Sequence, residues 1–224
     1  GIEPNDKVCI YSYNRKEWFG CYAATQMIGS IVASVYHTCS SDEVEWIVKN
    51  SNSKIVFVGN NPNDNGEKKK MPHNRILPVL ENNDHIQDVV LMKDIPLENH
   101  GKMVAWDDFI NSGNDINESE IHTKLNNINE NDSASLIYTS GTTGEPKGVE
   151  YTGRWAYLNA LGQALDAGLS STSTYLWTLP MFHCNGWCYT WAVTAVGGTH
   201  VCLKQVNPDE VFSLVARHSA THMC

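Results

Sequence analysis

Short apolar runs alternate with amphipathic stretches along this chain. Lys7 to Tyr13 reads Lys-Val-Cys-Ile-Tyr-Ser-Tyr, rich in β-branched and aromatic residues, and predicts a strand. Between Arg15 and Ile28, Trp18, Phe19, Tyr22, Ala23 and Met27 recur at three- and four-residue spacing, which predicts a helix with one apolar face. The rhythm then repeats. Ile31 to Val35 predicts a strand, the next helix is capped by Ser41 with Asp42 and Glu43 in its first turn, and Lys54 to Val58 predicts another strand.

Two polar excursions follow, Asn60 to Arg75 and Asn111 to Asp132, both read as surface loops, with a strand at Gln87 to Met92 between them. The order then resumes. Strands are predicted at Ala134 to Tyr138, Thr174 to Thr178 and Thr199 to Leu203, and helices at Trp155 to Ala167, Trp187 to Val196 and Pro208 to His218. This alternation predicts an α/β fold of mostly parallel sheets flanked by helices.

Composition narrows the function. Of 224 residues, 42% are hydrophobic and 18% charged, which suits a globular chain with a real core. Sixteen basic against 25 acidic residues give a net charge of -9, and the only basic cluster is Lys68 to Lys70, so no nucleic-acid face is expected. Seven cysteines without tight spacing read as reduced thiols. No apolar run approaches the roughly 20 residues of a membrane helix, so no transmembrane segment is expected. The expected location is the cytoplasm, with an organelle such as the peroxisome as the alternative. The chain opens on Gly1 and closes on the apolar stretch Ala220 to Cys224, which looks like an interrupted strand, so a longer protein is expected.

The densest chemistry lies in Tyr138-Thr-Ser-Gly-Thr-Thr-Gly-Glu-Pro-Lys-Gly148, directly after an apolar strand. Glycines at 141, 144 and 148 let backbone N–H groups approach an anion, the hydroxyls of Thr139, Ser140, Thr142 and Thr143 add donors, and Lys147 adds charge. That combination predicts a polyphosphate cradle, against the plainer reading of a polar turn. It lacks the Gly-Lys-Ser/Thr run of a Walker A loop, and Ser140 is not in a Gly-x-Ser-x-Gly elbow.

The same segment resembles the signature loop of the adenylate-forming (AMP-binding) superfamily, which includes acyl-CoA synthetases, luciferases and the adenylation domains of peptide synthetases. A second segment, Leu179-Pro-Met-Phe-His-Cys-Asn-Gly-Trp-Cys-Tyr-Thr-Trp191, resembles the following motif of the fatty acid-CoA ligase branch, near methylthiopropionyl-CoA ligases and plant acyl-activating enzymes. Ile10 to Trp18 and Gly197 to Leu203 extend the likeness.

The resemblance implies ATP-dependent activation of a fatty or other carboxylic acid to an acyl-adenylate, then a thioester with coenzyme A, with ATP, Mg2+ and coenzyme A required. It implies that Thr139, Ser140, Gly141, Thr142, Thr143, Gly144 and Lys147 hold phosphates. It also implies that Lys147 and His183 are catalytic, and that His183 and Trp187 meet the acyl substrate, Trp191 being a further wall candidate. Residues 1–224 then correspond to part of a large N-terminal domain, truncated at both ends, with the adenine, magnesium and adenylation-lysine segments and the C-terminal domain beyond Cys224.

Alternatives remain open on the residues alone. His183 could be a buried, hydrogen-bonded core histidine, and the tryptophans could be core. His183, Cys184 and Cys188 supply at most three metal ligands, so no metal site is expected. Thr152-Gly-Arg-Trp155 departs from the Thr-His-Arg-Gly common in relatives. The rival functions are another adenylate former, luciferase-like or amino-acid-adenylating, and a non-catalytic nucleotide-phosphate-binding module.

Overall fold

A computed structural model describes residues 1–60, 71–93, 95–97, 100–139, 145–183, 186 and 188–224. The first sheet contains β1 (Lys7–Ser12), β2 (Ile31–Val35), β3 (Ser53–Gly59), β4 (Asp88–Leu91), β5 (Met103–Ala105), β6 (Ser133–Thr139) and β7 (Lys147–Thr152), in the order β5-β4-β3-β1-β2-β6-β7. All its pairings are parallel except β6 with β7. A second, parallel sheet has the order β10-β8-β9, from β8 (Thr174–Trp177), β9 (Thr199–Cys202) and β10 (His222–Met223).

Both faces of strands β1 to β4 are buried, which is why they read as continuous apolar runs. The two-residue period sorts their side chains. Val8, Ile10, Val32 and Phe57 point to one face, where α1 (Lys16–Met27), α6 (Gly153–Asp166) and α7 (Tyr189–Ala195) pack. Cys9, Tyr11, Ala33 and Val56 point to the other, against α2 (Ser41–Ser51) and α3 (Pro72–Glu81). Each such Val or Ile, fully buried, contributes about 1.5–3 kcal/mol. The second sheet lies over the α1 layer through Tyr175 and Trp177, and its far face, Leu176 and Val201, is covered by α8 (Pro208–His218). Layers therefore stack helix, sheet, helix, sheet, helix.

The α/β expectation holds, with local differences. On α1 the buried face is Trp18, Cys21, Tyr22 and Thr25, while Met27 is exposed. The cap of α2 is Ser40: its hydroxyl accepts from the Glu43 N–H and the Glu43 carboxylate accepts from the Ser40 N–H, a reciprocal box worth about 1 kcal/mol. The polar excursions hide α3 and α5 (Glu118–Asn126), and α4 (Trp106–Asn111) follows β5 directly. Helices α4 and α5 bury no residue, so their apolar period is faint, whereas α3 buries Ile76, Val79 and Leu80 and only its start lies within the first excursion.

Candidate functional site

The predicted glycine loop connects an antiparallel pair, an arrangement the sequence reading missed because β7 is polar and exposed along most of its length. Thr139 ends β6 and Lys147 begins β7; the two are register partners, and both are exposed. Ser140, Gly141, Thr142, Thr143 and Gly144 lie outside the described residues, as does Trp187. The ladder thus fixes where the loop leaves and re-enters the sheet. Gly148 also has a packing reason to be glycine. It lies opposite Tyr138, and a Cβ there would stand 3.2 Å from the tyrosine ring.

Helix α2 braces both ends of this loop. Trp46 Nε1–H donates to the Pro146 carbonyl at 3.0 Å, and the Tyr138 hydroxyl donates to Asn50 Oδ1 at 2.7 Å. Trp46 and Asn50 are four residues apart and so share a helical face. Burial pushes the Tyr138 phenol up to about 12, so it remains a neutral donor. Nothing in the sequence marked these two residues beyond their spacing.

His183 reaches the same end of the sheet by another route. The turn after β8 is stitched to the carboxyl end of β1 by Asn14, a buried side chain. Asn14 Nδ2–H donates to the Leu179 carbonyl at 2.6 Å and, more weakly, to that of Trp177 at 3.4 Å, while its Oδ1 accepts from the Met181 N–H at 2.7 Å. Met181 and Phe182 are buried by this clamp, and His183 is left exposed, not buried as a core histidine would be. Its Nδ1 hydrogen-bonds the hydroxyl of Tyr36, the residue just past β2. Tyr36 also meets Phe182 edge-on, with ring centroids 4.6 Å apart, and His37 packs against Tyr13 in a tilted pair at 4.0 Å. Arg75 holds the following bend through the Thr38 and Cys39 carbonyls.

Gly186 sits behind His183 at φ +57°, where a Cβ would fall 2.2 Å from the Trp177 indole. That indole is held in turn: Trp177 Nε1–H donates to His200 Nδ1 at 2.9 Å, leaving Nε2–H to face Thr194 Oγ1 at 3.1 Å. Burial pushes His200 down to about 4, consistent with a neutral ring. Trp191 is half-buried between helices, its Nε1–H donating to Gln26 Oε1 at 3.1 Å and its ring 6.1 Å from Tyr22. Arg15 forms a buried pair with Glu17 at 2.8 Å; burial alone would raise the carboxyl, but the Arg15 hydrogen bond and charge hold Glu17 below its usual range.

β1, β2 and β6 run parallel, so Asn14, Tyr36 and Thr139 all emerge at their carboxyl ends. Ser34 pairs with Ile137, placing Tyr36 and Thr139 two residues further along their respective strands. Crevices at such strand ends are where α/β sheets bind ligands. The donor types at Thr139 and Lys147, a hydroxyl and an ammonium, suit phosphate oxygens. Among the described residues no group of three His, Cys, Asp or Glu side chains could hold a metal ion, and no helix is long and apolar enough to cross a membrane.

Comparison with known proteins gives the same picture. The chain is 31% identical over 225 residues to the peroxisomal butyrate–CoA ligase AAE11 of Arabidopsis thaliana, covering 99% of this chain and 38% of that protein. It is 32% identical over 230 residues to 4-hydroxybutyrate–CoA ligase 2 of Metallosphaera sedula, covering 100% of this chain and 39% of the relative. The chain therefore spans about two fifths of the length of these curated relatives. Among solved structures, a long-chain-fatty-acid-CoA ligase of Archaeoglobus fulgidus superposes with a TM-score of 0.70 at 21% identity, over 99% of this chain and 39% of that one, which shows a shared fold. The sequence model of the AMP-binding enzyme family matches residues 1–224, and the chain belongs to that family.

Proposed function

We propose that the protein is an acid–CoA ligase, and that residues 1–224 are part of its N-terminal AMP-binding domain. The observation that carries this reading is the convergence of Thr139 and Lys147 with His183 at the carboxyl ends of adjacent parallel strands. A polyphosphate and an acyl group must meet there.

In the first step a substrate carboxylate oxygen bonds to the α-phosphorus of ATP, the bond from that phosphorus to the bridging oxygen breaks, and pyrophosphate leaves. Negative charge builds on the leaving group. Residues 139–144 offer hydroxyl and backbone donors to it, and Lys147 offers a cation; fixed donors of this kind act without reorganising when charge develops. In the second step the sulfur of coenzyme A bonds to the acyl carbon as AMP leaves and the thiol proton is lost. His183, exposed at the rim, orients the carboxylate and then the acyl carbonyl, and Trp187 borders the acyl group. Mg2+ bound to the triphosphate would supply further counter-charge to the phosphate oxygens. The substrates in the relatives' names, butyrate and 4-hydroxybutyrate, favour a short or medium carboxylic acid within the wider fatty-acid class. The proposed location is the cytoplasm, with the peroxisome as the alternative, since one relative is named peroxisomal.

Pyrophosphate release by the intact protein across a panel of carboxylic acids tests the reading. His183→Ala is expected to impair thioester formation and acyl selectivity more than ATP affinity. Intact thioester formation with collapsed ATP binding would remove His183 from the acyl site, and no acid-dependent pyrophosphate release would remove the ligase assignment.

A further inference from the structure

Tyr36 belongs to no motif singled out in the sequence, yet it is the residue that touches His183 from the opposite half of the chain. It follows directly on β2, which is itself held by parallel pairing to β1 as far as Val35 and to β6 as far as Ser34. Its ring is held against Phe182, and its carbonyl accepts from the Cys39 N–H at 2.9 Å, closing the bend. Arg75 pins that bend from α3. The phenol is therefore placed by the sheet, while the histidine sits on a turn.

We propose that Tyr36 is a positioning residue that sets the tautomer and ring orientation of His183. A phenol at neutral pH carries its proton and can donate it to an unprotonated imidazole nitrogen. With Tyr36 O–H donating to Nδ1, the neutral ring holds its own proton on Nε2, the nitrogen turned away from the tyrosine. An exposed histidine would otherwise sample both tautomers and several rotamers. Fixed by Tyr36, it presents one N–H donor at the strand ends where Thr139 emerges. Resting on the ligase reading above, this places a neutral hydrogen-bond donor, not a base, toward the acyl carboxylate and the later acyl carbonyl. The second histidine of the cluster, His37, packs on Phe182 and Tyr13 and holds the aromatic wall behind this pair.

The first test needs no turnover. Long-range proton–nitrogen correlation spectra of the intact protein with nitrogen-15 histidine report which ring nitrogen of His183 is protonated, the signal being assigned by its loss in His183→Gln. The expected result is an Nε2–H ring in the parent and a mixture of tautomers in Tyr36→Phe, a variant that keeps the ring packed on Phe182. A parent ring protonated on Nδ1, or an unchanged tautomer in Tyr36→Phe, overturns the proposal.

A second test uses turnover. Tyr36→Phe should lower kcat for thioester formation about threefold to tenfold, the range of one neutral hydrogen bond, with KM for ATP unchanged. In a His183→Ala background the same substitution should do nothing further. An equal loss in both backgrounds means the phenol acts elsewhere and overturns the proposal. A tautomer shift with unchanged thioester formation in both Tyr36→Phe and His183→Ala would instead confirm the pairing and reject the acyl-site reading of His183.

Discussion

The loop between β6 and β7 and the turn that carries His183 arrive at the same end of the sheet, but they are held there by different means. The loop is bounded by two strands that pair with each other, Thr139 against Lys147, and its outside braces come from a single helix, through Trp46 and Asn50. The turn has no ladder of its own. Asn14 ties it to β1 across more than 160 residues of sequence, Tyr36 meets it from β2, and the Trp177–His200 pair supports it from behind through Gly186. A hairpin loop is positioned locally and survives the loss of one brace. A turn whose backbone is tied to the sheet through one side chain, Asn14, is more sensitive to the loss of that tie.

Asn14→Ala gives the largest expected effect and would break that comparison if it were mild. It removes one acceptor and one donor from a buried site, leaving the Leu179 carbonyl and the Met181 N–H unpaired, at about 1–3 kcal/mol for each orphaned group. Denaturant unfolding should show a loss of about 2–5 kcal/mol, with acyl transfer falling more than ATP binding. Equal losses in both activities would mean that the turn and the loop are one mechanical unit.

Lys147→Ala probes the other region. Loss of one charge-assisted contact, about 1.5–3 kcal/mol, should lower pyrophosphate release tenfold to a hundredfold. Stability should hardly change, because Lys147 is exposed on an edge strand. Parent-level pyrophosphate release would remove Lys147 from the phosphate site.

The smallest effect is read mainly in acid. Burial lowers His200 from 6.5 to about 4, so the folded state disfavours the charged ring that the unfolded chain adopts. The unfolded state binds more protons in that interval, and the stability His200 contributes is present above about pH 6.5 and lost as pH falls toward 4. His200→Gln should flatten this part of the stability profile, measured by thermal unfolding across pH, and leave the neutral plateau lower by the loss of its bond to Trp177. An unchanged acid limb would place the titration elsewhere.

The contiguous elements were legible because a local pattern encodes them. Apolar runs of four to seven residues, helix caps and a glycine-hydroxyl-lysine loop are statements about neighbours in sequence, and they sufficed for the α/β class and for Lys147 as a candidate, while His183 became one only through the resemblance of the Leu179 to Trp191 segment to a family motif. The strand β7 was not legible: Lys-Gly-Val-Glu-Tyr-Thr lies on a sheet edge, largely exposed, so nothing forces an apolar alternation on it. Asn14 and Tyr36 carry no local signal at all. An asparagine after a strand reads as a turn residue and a tyrosine after a strand reads as β propensity. Only the parallel stacking of β1, β2 and β6 made them the partners of a turn near residue 180. By itself the sequence determined the buried strands and the amphipathic helices between them, since period and capping depend on neighbours along the chain. The tertiary structure decided which of those segments share an edge, because hydrogen bonds between residues more than 140 apart depend on packing that no local pattern records.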